Sequence, residues 1–130
     1  MTGTRIFLGL SALLWLPYGI FCLVQPGFLE GAAGVGSSTA TGSAELRAMY
    51  GGLQAGIGAL ALVGFLRAEA ARPALLTLLF LCAGLALGRI LGLVVDGAAS
   101  PYTLIAIGFE VASAALAGAL LGRTAPAPAL

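Results

Sequence analysis

Histidine is missing from this chain of 130 residues, and so is lysine. Only 8% of the residues are charged, where a soluble domain spends about a quarter. Without histidine, the commonest metal ligand and the commonest acid–base group near neutral pH are both absent. The two cysteines, Cys22 and Cys82, stand far apart inside apolar runs and form no C-x-x-C. They read as small buried hydrophobes, and a thiol redox pair has no support. The formal net charge of +1 and the 8% aromatic content leave no basic, base-stacking surface, so nucleic acid is excluded as a partner.

What is present is apolar: 60% of the residues are hydrophobic and 20 are glycine. This is membrane composition, and the length suggests a single domain. Crossing ~30 Å of hydrocarbon takes about 20 apolar residues, and four stretches are long enough: 6–24, 45–66, 74–95 and 102–121. The first follows Arg5 and resembles a signal peptide, but its apolar run is too long and no small-x-small cleavage site directly follows. Pro17 is expected to bend it. Residues 25–44, rich in Gly, Ser and Thr, read as a loop outside the membrane, with Pro26 ending the first helix and Ser43 capping the second. Phe28 and Leu29 can turn back from that loop toward the membrane. "RAEAARP" reads as a short turn that puts Pro73 in the first turn of the third span. "DGAASP" turns the chain before the fourth span, and residues 123–130 read as a disordered tail.

The fold class that follows is all-α: an integral membrane protein, an antiparallel bundle of four transmembrane helices. In that arrangement Arg5, Arg67, Arg72 and Arg123 lie on one side. The positive-inside rule then places both termini in the cytoplasm, with the 25–44 loop periplasmic and a bacterial inner membrane as the location.

Arg47 and Arg89 are the two arginines left toward the outer ends of the second and third spans. At ~1.5 Å per residue, Arg89 lies about 9 Å below the outer end of its span, Glu110 about 12 Å and Gln54 about 13 Å. A charge at the bilayer centre costs at least ~2.5 kcal/mol, so it faces inward and finds a partner. Glu110 matches Arg89 in depth, and Glu45 and Asp96 are the alternatives near the surface. Arg47, Tyr50 and Gln54 follow the i, i+3, i+7 spacing of one α-helical face, and Arg89 and Asp96 are also seven apart. The small residues supply packing faces: Gly52 and Gly56; Gly84, Gly88 and Gly92; Ala112, Ala115, Ala119 and Gly122.

These residues carry a resemblance. "AELRAMYGGLQAGIG", "LGRILGLVVDGAASP" and the glutamate of "IAIGFEVASA" resemble the bacterial membrane family known as domain of unknown function 4345. The resemblance rests on Glu45, Arg47, Tyr50, Gly51, Gly52, Gly88, Arg89, Asp96, Gly97, Pro101 and Glu110. It covers spans two to four, and span one matches only in character. It implies a small four-helix inner-membrane protein and supplies no function.

Two functions fit this sequence. The first is a protein that binds a small molecule or an anionic lipid, with transport as one use of such binding. Its polar pocket would open outward between spans two, three and four, lined by Arg47, Tyr50, Gln54, Arg89, Asp96 and Glu110. The second is a structural subunit that packs against another membrane complex, with an Arg89–Glu110 pair fixing helix register. Both expect membrane lipids and further copies of the chain as partners. No nucleophile, metal site or cofactor motif accompanies Glu110, so no catalytic residue, metal or cofactor is assigned.

Overall fold

In a computed structural model that describes residues 2–124, every regular element is helical and no strand occurs among the described residues. In chain order these are α1 (Thr2–Val24), α2 (Phe28–Ala33), α3 (Ala40–Leu46), a π-turn (Arg47–Gly52), α4 (Leu53–Leu66), α5 (Ala68–Asp96) and α6 (Pro101–Leu121). The run Ala40–Leu66 is one continuous helix interrupted by the π-turn. With α1, α5 and α6 it makes four helices long and apolar enough to cross a membrane. Large apolar side chains point outward on all four, among them Leu13, Leu62, Phe80 and Ile105. That pattern suits lipid as the solvent.

The chain divides into two compact units, residues 1–71 and 72–130. In the first, α1 runs antiparallel to the π-turn and α4, and the contact is made backbone to backbone. A Cβ on Gly19 would fall on the backbone of Ala55, and one on Gly58 would fall on the backbone of Leu16. A Cβ on Gly51 would lie 2.7 Å from Leu23 Cγ. Between helices already surrounded by lipid, such close approach supplies dispersion attraction where the hydrophobic effect has little to offer.

The loop is more ordered than a plain connection. α2 ends at Gly34, whose φ of 69° glycine enters without strain; its N–H donates to the Glu30 carbonyl at 3.0 Å, the five-to-one bond of an αL cap, and Val35 N–H donates to that of Leu29 at 3.2 Å. Leu29 is fully buried, and Phe28 meets Phe21 edge-on with ring centroids 5.2 Å apart. Thr39, rather than Ser43, caps the second long helix by accepting from Gly42 N–H at 3.0 Å. That helix therefore begins five residues before the apolar run does.

The "RAEAARP" turn shrinks to Arg67, the single extended residue between α4 and α5. Ala68, Glu69, Ala70 and Ala71 are strong helix formers and extend α5 backward, so Pro73 lies inside the helix and not in its first turn. In the second unit α5 and α6 are antiparallel. Arg72 reaches the end of α6, Leu79 lies beside Gly118, and Arg89 meets Glu110. Gly97, at φ 66°, ends α5, and Ser100 caps α6 by accepting from Thr103 N–H at 3.1 Å. Arg123 and Thr124 form a hydrogen-bonded turn after α6. The rest of the expected tail, 125–130, lies outside the described residues.

Candidate functional site

On α5 the buried residues Leu75, Leu78, Cys82 and Ala86 form one stripe. Arg89, three residues beyond Ala86, continues it, which turns the guanidinium inward. On α6 the matching stripe is Glu110, Ser113 and Ala117. The two stripes meet at the expected ion pair. Arg89 Nε donates to both carboxylate oxygens of Glu110, at 2.9 and 3.1 Å. The Glu110 side chain is only 4% exposed, whereas that of Arg89 keeps 25%. Tyr102, in the first turn of α6, sets its ring 5.5 Å from the guanidinium carbon, within the range of a cation–π contact.

Guanidinium carries five N–H donors in a planar fork. Glu110 takes only the one on Nε, so the two terminal nitrogens are not used by the carboxylate. A second planar acceptor, such as a carboxylate or phosphate, matches that remaining edge. Asp96, expected on the same face as Arg89, is the exposed last residue of α5 and makes no ion pair among the described residues.

Arg47 has a different task. Its guanidinium donates to the carbonyl of Leu23, and to that of Val24 at 3.3 Å. These are the final carbonyls of α1, which have no intrahelical donor. The π-turn explains why Arg47, Tyr50 and Gln54 do not share the expected face. A π-turn winds more residues per turn than the 3.6 on which the i, i+3, i+7 rule rests. Arg47, Gly51, Ala55 and Gly58 form the row against α1. Tyr50 and Gln54, each one residue earlier than a member of that row, lie on an adjacent face and are half-buried.

The profile of the family described as Domain of unknown function (DUF4345) matches residues 3–121. The chain belongs to this family. The match takes in α1 and its loop as well as the three later spans. No curated protein and no solved structure matches the chain.

Within each unit of this DUF4345 chain, the expected packing glycines are not the ones at close contact. A Cβ at Gly56, Gly84 or Gly88 would meet nothing within 4 Å, and at Gly52 only the Arg47 carbonyl at 3.9 Å. At Gly92 it would meet only its own helix, at Asp96. Ala112, Ala115 and Ala119 are exposed, and Gly122 follows the last turn of α6. Among the described residues, the glycines whose Cβ would fall within 3 Å of another helix's backbone are Gly19, Gly51 and Gly58. Of these, only Gly51 was marked, through the family resemblance. Arg72, expected only to mark the cytoplasmic side, donates to the carbonyls of Leu121 and Thr124 at 3.5 and 3.3 Å.

Proposed function

We propose that this protein binds an anionic group, the carboxylate or phosphate of a small molecule or lipid, at Arg89 in the α5–α6 unit. The observation that carries this reading is the one-sided use of the guanidinium. Glu110 engages Nε alone, while a quarter of the arginine side chain stays exposed. Glu110 then fixes the orientation of the fork, Tyr102 lies against the guanidinium as a further polar neighbour, and the terminal nitrogens on the edge that Glu110 does not take receive the ligand. The setting is the inner membrane with both termini cytoplasmic. Arg5, Arg67, Arg72 and Arg123 then lie on the cytoplasmic side, and Arg89 in the outer half of the membrane.

The test compares the wild-type protein with the double variant Arg89→Gln/Glu110→Gln, both purified in neutral detergent. Changing both partners avoids leaving one buried charge alone. Native mass spectrometry of the wild type should find an anionic lipid or metabolite that the double variant has lost. Equal retention by both proteins refutes the reading.

One observation favours a second reading, that of a subunit packing against further copies or another complex. Gly84 and Gly88, one turn apart on α5, are exposed and have open space where a side chain would stand. Another helix could approach closely there.

A further inference from the structure

A groove runs along the first unit between α1 and α4. Gly9 and Ala12 form its floor, and Leu13, Leu16, Leu62 and Phe65 its walls, enclosing about 350 Å³. It arises where α1 carries small residues opposite the end of α4. A Cβ on Gly9 would already lie 3.2 Å from the Phe65 ring. The groove ends at a charge: the Arg5 guanidinium carbon sits 5.3 Å from the centroid of Phe65, the same ring that forms its wall. Arg5 is exposed and has no carboxylate within salt-bridge distance among the described residues. The antiparallel register of α1 and α4 brings Arg67, also exposed, to the same end of the unit.

Shape and charge select the occupant. From Gly9 to Pro17 the groove spans about 12 Å of helix, and about 350 Å³ over that length is a narrow apolar furrow along which a single hydrocarbon chain can lie. The apolar walls and, at one end, a cation with no carboxylate partner among the described residues together match an amphiphile with a negative head.

We propose that this groove holds one acyl chain of an anionic phospholipid, with its phosphate at Arg5. The proposal uses no residue of the α5–α6 unit and does not depend on the reading of Arg89.

The test uses the whole protein in nanodiscs or neutral detergent, with phosphatidylglycerol and phosphatidylcholine of identical acyl chains as probes. Native mass spectrometry should show phosphatidylglycerol retained in preference to phosphatidylcholine. Arg5→Gln should weaken that retention about five-fold, the size of one basic side chain's interaction with an anionic lipid surface. Arg5→Lys, which keeps the charge, should restore most of it. Ala12→Leu, which fills the floor, should reduce retention of both lipids. If Ala12→Leu does not fold, the Arg5 variants decide alone. The proposal is overturned if the wild type does not distinguish the two lipids, or if Arg5→Gln keeps phosphatidylglycerol at the wild-type level. It is equally overturned if the retained lipid is lost on Arg89→Gln/Glu110→Gln and not on Arg5→Gln, because that lipid belongs to the α5–α6 site.

Discussion

The Arg89–Glu110 pair can be tested by a double-mutant cycle with Arg89→Gln, Glu110→Gln and the combination. Breaking a buried ion pair from one side typically costs ~3–5 kcal/mol, because the remaining charge has lost its partner. The structure assigns unequal ends of that range to the two single changes. Glu110 is almost wholly enclosed, with 4% of its side chain exposed, so Arg89→Gln should fall near ~5 kcal/mol. Arg89 retains 25% exposure and a long stem that can carry its charge toward the membrane surface, so Glu110→Gln should fall near ~3 kcal/mol. The double variant leaves two neutral amides that can bond to each other, so its loss should be smaller than the sum by about 2–3 kcal/mol. Interhelical hydrogen bonds in membranes average only ~0.6 kcal/mol in such cycles, so the predicted coupling stands clear of an ordinary polar contact. Reversible unfolding in mixed micelles, titrated with a denaturing detergent, measures all four proteins. A coupling of ~0.6 kcal/mol or less refutes the argument that the two charges are each other's main support.

Two further outcomes follow from packing and charge distribution. Gly58→Ala places a Cβ on the backbone of Leu16 and should cost several kcal/mol, whereas a Cβ at Gly88 meets open space, so Gly88→Ala should gain up to ~1 kcal/mol of helix propensity; micelle unfolding of the two variants compares them, and equal losses would mean the α1–α4 contact is misassigned. A reporter fused after Leu130 should be active only when it is of the cytoplasmic type, and activity of a periplasm-dependent reporter would reverse the proposed orientation.

The four spans were legible because apolar content averaged over a span's length tolerates errors at its ends. Those ends were where expectation and structure parted. Thr39 and Ser43 are both good caps, and nothing local to the chain ranks one above the other. The ion pair was legible because a buried arginine requires a partner and Glu110 stood at its depth. The glycine contacts were not. In a chain with 20 glycines, small-xxx-small spacings occur on many faces, and a one-residue choice between Gly51 and Gly52 selects a different side of the helix. The π-turn over Arg47–Gly52 compounds this. It shifts the phase of every later residue relative to Arg47, and its own residues carry no sequence signature.

The arginines show a regularity that ties these observations together. Arg47 and Arg72, near the ends of their membrane spans, are answered by neutral carbonyls at the C-termini of α1 and α6. A helix C-terminus carries about half a negative charge, enough for a guanidinium close to water. Arg89 lies deeper in its span, and there the partner is a full carboxylate held on its Nε. Depth therefore selects the kind of acceptor: a dipole near the surface, a counter-charge within. Arg47 is thereby committed to holding α1 against the π-turn. Arg89 is held by Glu110 through Nε alone, with its terminal nitrogens outside that contact, which is the geometry on which the proposed anion site rests.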